Sequence, residues 1–276
     1  MKVALLQISS SDCPEQNLER VLGMIREAVS ERADIICTPE VTNCISASRS
    51  HQLSVLKHEE NDPTLAGLRQ AARDLGVWLC VGSLALKTHD EDGRFANRSF
   101  VIGSDGEVVA RYDKIHMFDV EVSEQETYRE SDGYRPGNAA VTVETPFGCF
   151  GMSICYDLRF PHLYRDLATA GAEILLVPAA FSPVTGKAHW RPLLQARAIE
   201  NGCFVLAAAQ TGTHEVTRGK SRTTYGHSLA VSPWGEIIAD AGREQGIVYV
   251  DIDLEEVGTA RRRVPSLSHD RSYEGP

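Results

Sequence analysis

The chain has 276 residues, 42% of them hydrophobic, and a formal net charge of −10, enough apolar material for one large domain or two ordinary ones. An acidic balance argues against nucleic acid or an anionic membrane as principal partner, since both demand a basic face, and no apolar run approaches the roughly 18 residues of a membrane span. Seven scattered cysteines without a Cys-x-x-Cys pair, and nine histidines without His-Glu-x-x-His, indicate neither a disulfide framework nor a metal site.

The opening "MKVALLQISS" reads as a strand over residues 3–8, not as a signal peptide, and so predicts a cytoplasmic protein. Behind Pro14, the residues Leu18, Val21, Leu22, Ile25 and Val29 recur at helical spacing, and "DIICTPE" returns as a strand over 34–40. The alternation continues with a helix over 63–75, a strand over 77–86, a helix over 161–170, a strand over 173–180, a helix over 188–200 and a strand over 203–210. Hairpins interrupt it at 99–112, 140–154 and 229–242. The first and last of these align with each other, "VIGSDGEVVA" against "AVSPWGEIIA", which predicts two similar halves whose sheets pack face to face in one domain.

Segment 118–138, "FDVEVSEQETYRESDGYRPGN", is charged and without clear period; a loop of that length predicts a wall of the site. The Arg run at 261–263 reads as a solvated or interface arm, and the tail over 265–276 as a wrap around a surface or a partner subunit. "GTHEVTRGKS" (212–221) imitates a phosphate-binding loop, but six residues separate its glycines where four are needed and a strand follows it. Asn97-Arg98-Ser99 matches a glycosylation acceptor, which carries no meaning without a secretory signal.

Catalytic groups on such sheets are presented where strands end. Glu40 follows "DIICTP", Lys114 follows "VVARYD" and Cys155 follows "CFGMSI". A base, a cation and a thiol form the minimum kit for acyl transfer, although each taken singly also reads as a loop carboxylate, a surface cation or a small buried hydrophobe. Lys114 is one of only six lysines against 22 arginines, which points to a need for a compact point charge.

Together "TPEV", "RYDKIHMFD" and "SICYDLRFP" resemble the motifs of the nitrilase superfamily of carbon–nitrogen hydrolases, in the same order. The likeness continues through "YRESDGYRPG", "GAEILLVPAAF", "TGKAHWRPLLQARAIENGCFVLAAAQ" and "YGHSLAVSPWGE", and is nearest to its Nit subgroup. It implies an α/β fold, a four-layer α-β-β-α sandwich of two face-to-face mixed sheets with pseudo-two-fold symmetry, in a single domain over residues 1–270. It further implies a homodimer or larger homo-oligomer joined through helices and tail, without metal or organic cofactor. The implied activity is hydrolysis of a small linear amide through a cysteine thioester, releasing ammonia. "HMFDVEV" with "YGHS" favours deaminated glutathione as substrate. The alternatives are 2-oxo acid ω-amides such as α-ketoglutaramate, and N-carbamoyl amino acids. From other classes, a catalytically silent binding scaffold and a redox-sensing thiol protein stay open.

By resemblance, Glu40 is the base, Lys114 the oxyanion-holding cation and Cys155 the nucleophile. Glu130 of "YRES" positions Lys114 or the substrate amide, and the backbone N–H of Tyr156 is a second oxyanion donor. Arg159 receives a substrate carboxylate or pairs with a neighbouring acid, and Phe181 and Thr185 form a pocket wall. His162 stands where the relatives usually have Glu, and "TGTHEVTRGKSRTTYGHS" is more basic than expected; both bear on substrate choice.

Overall fold

The computed structural model describes residues 1–123 and 126–275. Strand β1 (Lys2–Gln7) is buried on both faces: Val3 and Leu5 enter one apolar cluster, Ala4 and Leu6 another. Continuous apolar runs of this kind belong to strands covered on two sides. Helix α1 (Pro14–Ser30) starts with Pro14 in its first turn and turns Val21, Ile25 and Ala28 inward. Then come β2 (Ile35–Cys37), α2 (Arg49–Val55), α3 (Pro63–Leu75), and the strands β3 (Trp78–Lys87), β4 (Phe95–Ile102) and β5 (Val108–Asp113). A hairpin of β6 (Asp119–Ser123) and β7 (Glu126–Arg129) follows.

The second half runs β8 (Thr142–Thr145), β9 (Gly148–Met152), α4 (Pro161–Thr169), β10 (Ile174–Leu176), α5 (Pro183–Asn201) and β11 (Phe204–Ala207). A short hairpin of β12 (Thr211–Thr213) and β13 (Thr223–Tyr225) precedes β14 (Leu229–Val231) and β15 (Ile237–Asp240). Finally β16 (Gly246–Asp251) returns antiparallel to β1, and α6 (Glu255–Arg263) closes the fold.

Two six-stranded sheets result, ordered β16-β1-β2-β3-β4-β5 and β15-β14-β11-β10-β9-β8. Each has three parallel strands at its centre, an antiparallel hairpin on one flank and a single antiparallel strand on the other. The aligned hairpins occupy matching places, β4–β5 and β14–β15. Their turns close alike: Gly103 N–H donates to Glu107 O at 2.9 Å, and Ser232 N–H to Glu236 O at 2.8 Å. Gly106 and Gly235 supply the positive φ, +79° and +89°, that each turn requires.

Val3, Leu5 and Ile35 of the first sheet share one core with Phe150, Met152 and Ile174 of the second. Outside it, α1 and α3 cover the first sheet, while α4 and α5 cover the second with Leu163, Leu167, Trp190 and Leu194. The layers are therefore α-β-β-α. No helix among the described residues is long and apolar enough to cross a membrane.

Three elements differ from the sequence expectation. Segment 118–138 is no plain loop: it holds the β6–β7 hairpin and a 3-10 turn over Glu130–Asp132, concealed because each strand is only four or five residues long and rich in charge. Helix α2, "RSHQLSV", is short and polar. The Arg run lies in the last turn of α6, where Arg261 donates to Ala172 O at 2.6 Å and to Asn201 O at 3.3 Å, so it is partly a helix-to-helix fastener.

Candidate active site

Beyond β2 the chain reaches Glu40 through Thr38-Pro39 and turns back at Val41, whose φ is +46°. A β-branched residue in that region is strained and must be held by its surroundings. The hold comes from β3: Val41 N–H donates to Ser83 Oγ at 2.7 Å and Thr42 N–H to Ser83 O at 2.9 Å. Beyond β9, Cys155 has φ +50°, its N–H donates to Pro178 O at 2.9 Å, and the chain enters a 3-10 turn over Cys155–Arg159. Beyond β5, the N–H of Lys114 donates to Asn97 O at 3.0 Å.

These three strand ends converge. Lys114 is 2% exposed and donates to Glu40 Oε1 at 2.9 Å and to Glu130 Oε1 and Oε2 at 2.9 and 2.8 Å. Cys155 lines the same cavity as Glu40 and Lys114, close enough for their charges to act on its thiol. Asn97 Nδ2 donates to Glu40 Oε1 at 2.9 Å and, more weakly, to Glu130 Oε1 at 3.4 Å. The N–H of Phe118 donates to Glu130 Oε2 at 2.6 Å, which ties this carboxylate to the strand opposite.

Charge states follow from this packing. Burial opposes ionisation of Glu40, but the Lys114 ammonium and the hydrogen bonds from Lys114 and Cys155 prevail and hold the carboxyl below its ordinary value. Burial likewise opposes the charge on Lys114, and Glu130, Glu40 and Cys155 outweigh it, so the amine stays protonated well past its usual range. Burial and the Glu40 charge push the Cys155 thiol well above its ordinary value, against the pull of Lys114 and the Ala180 N–H. The resting site thus holds a carboxylate, an ammonium and a neutral thiol.

Asp157 braces the turn. Fully buried, it accepts from Tyr112 Oη at 2.7 Å, from Ile154 N at 2.9 Å and from His116 N at 3.0 Å, and pairs with His116 Nδ1 at 2.7 Å. It therefore locks the segment after Lys114 to the segment bearing Cys155.

A cavity of about 520 Å³ opens over Cys155, Glu40 and Lys114. Phe181 and Thr185 line it, as does Tyr156, whose ring packs edge-on against Phe118. The N–H of Tyr156 is in the first turn of the 3-10 segment, where N–H groups lack intrahelical partners. Arg159 stands 5.7 Å from the Phe181 ring centre and 5.8 Å from that of Tyr156, with His189 Nδ1 at 3.3 Å; it backs two aromatic walls. His162 is exposed at the start of α4, edge-on to Phe160 and His116.

Sequence reasoning missed Asn97 and Arg222. Asn97, 2% exposed, faces the site from within β4, and its likeness, with Arg98 and Ser99, to a glycosylation acceptor concealed this. Arg222 lines the cavity from the foot of β13, and its only signal was the basic excess of that hairpin.

The chain matches the carbon–nitrogen hydrolase family over residues 2–262. It is 41% identical to the deaminated glutathione amidase of Yersinia enterocolitica over 98% of this chain and 92% of that protein. Among solved structures it is similar to Saccharomyces cerevisiae Nit3, a member of branch 10 of the nitrilase superfamily, at 30% identity and a TM-score of 0.81, covering 96% and 94% of the two chains. It is also similar to a variant of the amidase from Nesterenkonia sp. AN1 in which acrylamide has added to the active-site cysteine, at 25% identity and a TM-score of 0.78, covering 96% of this chain and 98% of that one. The chain belongs to the carbon–nitrogen hydrolase family of the nitrilase superfamily, and is a hydrolase of carbon–nitrogen bonds other than peptide bonds.

Proposed function

We propose that the protein is a deaminated glutathione amidase in which Glu40, Lys114 and Cys155 form the catalytic triad. The observation that carries this is the junction at the cavity floor: the Lys114 ammonium donates to Glu40 at 2.9 Å, and Cys155 borders the same cavity close enough for both charges to act on its thiol. Glu40 takes the thiol proton as sulfur attacks the amide carbon, and the carbonyl oxygen becomes an oxyanion beside Lys114 and the N–H of Tyr156. Glu40 returns the proton to the departing nitrogen, leaving a thioester on Cys155. The same carboxylate then draws a proton from water, which cleaves the thioester to a carboxylic acid and restores the thiol. Glu130 and Asn97 act as positioning residues for Lys114 and Glu40.

In deaminated glutathione a 2-oxo diacid is joined through its side-chain carboxyl to cysteinylglycine, so the departing amine is that of the dipeptide. Ammonia leaves only from primary amides such as α-ketoglutaramate. A cavity of about 520 Å³ favours the longer substrate. The test is to measure release of 2-oxoglutarate with cysteinylglycine, and of ammonia from α-ketoglutaramate, by wild type and Cys155→Ala. Turnover of deaminated glutathione at a higher kcat/KM, lost in the variant, is expected; preference for α-ketoglutaramate reassigns the enzyme as an ω-amidase, and equal behaviour of wild type and variant removes the triad.

Two further features belong to this proposal. All seven cysteines are free, six of them buried, which suits the reducing cytoplasm. Ile199 on α5, Trp234 in the β14–β15 turn and Val264 just after α6 are 57%, 46% and 56% exposed, large apolar side chains suited to contact with a second copy of the chain.

A further inference from the structure

The basic hairpin between β12 and β13 has no part in the triad, yet it reaches the cavity. Four cations besides Lys114 line that space: Arg49, Arg129, Lys220 and Arg222. Two are occupied. Arg49 donates to the backbone carbonyls of Gly133 and Gly93 and lies 3.7 Å over the Phe95 ring, and Arg129 pairs with Glu121 at 3.1 Å. Lys220, exposed at the rim, and Arg222, half-buried, have no carboxylate within ion-pair distance among the described residues.

Arg222 is fixed in place. Its guanidinium donates to the carbonyl of Ala180 and lies 5.3 Å over the Tyr128 ring, while its Nε is buried without a hydrogen-bond partner. The hairpin beneath it is pinned by His214 N–H to Arg222 O at 2.8 Å and Tyr225 N–H to Phe181 O at 3.0 Å. Ala180 lines the same cavity as Cys155, so the cation is held at the wall beside the nucleophile. Its field reaches the site, since it adds to the stabilisation of the Glu40 carboxylate. A half-buried guanidinium that lines the cavity without a carboxylate partner among the described residues, in a protein of net charge −10, is set to receive a planar anion.

We propose that Arg222, with Lys220 at the rim, is a carboxylate subsite that selects amides carrying a free carboxylate over neutral amides of the same shape. Specificity here comes from the unpaired cation: a neutral substrate leaves it desolvated and unmatched, an acidic one satisfies it.

Charge selection can be read without turnover by alkylating Cys155 with iodoacetate, an anion, or with iodoacetamide, its neutral match, following mass added to the Cys155 peptide. In Arg222→Gln, whose amide can still donate to Ala180 O, iodoacetate is expected to slow roughly tenfold while iodoacetamide changes little. Arg222→Lys restores most of the iodoacetate rate. Equal slowing of both reagents overturns the proposal, as the residue then acts by shaping the wall at Ala180; so does no slowing of either.

A substrate arm rests on the amidase function proposed above. It compares an ω-amide with its carboxylate free and as the methyl ester, and Arg222→Gln should lose roughly 10- to 100-fold in kcat/KM on the acid, chiefly through KM, and little on the ester. Equal losses on both overturn the proposal. If the wild type cleaves neither amide, the amidase function fails while the alkylation contrast still decides the subsite.

Discussion

Lys114 commits its ammonium to two carboxylates unequally: two hydrogen bonds go to Glu130, at 2.9 and 2.8 Å, and one to Glu40, at 2.9 Å. An ammonium has three donors, so none is spare in the resting site. The asymmetry has a chemical consequence. When Glu40 accepts the thiol proton it ceases to be an anion, its grip on Lys114 weakens, and one ammonium proton is released toward the oxyanion formed in the same step. Glu130 anchors the cation throughout, and is itself fixed by the N–H of Phe118.

Glu130→Gln tests this division of labour. Without the second carboxylate, Lys114 leans wholly on Glu40, which becomes a weaker base and a worse partner for the thiol. The expected result is a fall in kcat of roughly 100-fold with KM little changed, and an acid limb of the kcat/KM profile moved to lower pH. An unchanged acid limb with lower kcat would mean that Glu130 only supports the loop.

Gly82, within β3, bears on both stability and the site. A Cβ there would stand 2.0 Å from Thr38 O and 2.5 Å from both Pro39 O and Pro178 Cβ, pressing on the strand end that delivers Glu40 and on Pro178, whose carbonyl accepts from the Cys155 N–H. Backbone cannot yield as a flexible side chain can. Gly82→Ala is expected to destabilise by about 3 kcal/mol, to lower Tm by several degrees and to reduce kcat. Gly23→Ala is the contrasting control, exposed in the middle of α1 with nothing within 4 Å of its new Cβ. There Ala should stabilise by about 0.5–1 kcal/mol, because the helix interior disfavours glycine and no contact opposes the methyl. Thermal melts of the two variants should move in opposite directions.

The sandwich was legible because its central strands are buried on both faces, so "VALLQI" and "DIICTPE" stand out as apolar runs that end abruptly in polar residues. The site was legible for the same reason: Glu40 ends the run "DIICTP" and Cys155 follows the run "CFGMSI". Helix α5 begins at Pro183, five residues before the 188 that its periodicity predicts; Ser182 accepting from Val184 N–H with proline next is a sound start signal, and the weakly apolar first turn masks it. The β6–β7 hairpin was hard to see because its strands are short, so the alternation in "DVEVS" runs for only five residues, and none of its described residues joins an apolar core cluster. Arg222 could not be assigned from sequence, since a surface cation and a pocket cation differ only in what surrounds them. Neither could the Asp157 brace, which joins segments 41 residues apart.

The charge states fix a pH profile. The Glu40 carboxyl lies below its ordinary 4.5, so it serves as base at all higher pH and is lost only on stronger acidification. The Cys155 thiol titrates well above 9.0 and Lys114 well above 10.5, so neither imposes a limb in the neutral range. Linkage gives stability the same shape. Glu40, depressed on folding, contributes above 4.5 and its contribution is lost as pH falls through its folded value. Lys114, raised on folding, contributes fully below 10.5 and its contribution is lost as pH rises through its folded value. Cys155, raised likewise, favours unfolding above 9.0, where the unfolded thiol ionises and the folded one does not. Both kcat/KM and the rate of Cys155 alkylation by acrylamide should therefore be flat between about pH 5 and 9, with an acid limb only below that window. A rising limb between about pH 7 and 9 would mean that the nucleophile forms by simple thiol ionisation, and would remove Glu40 as the base that drives attack.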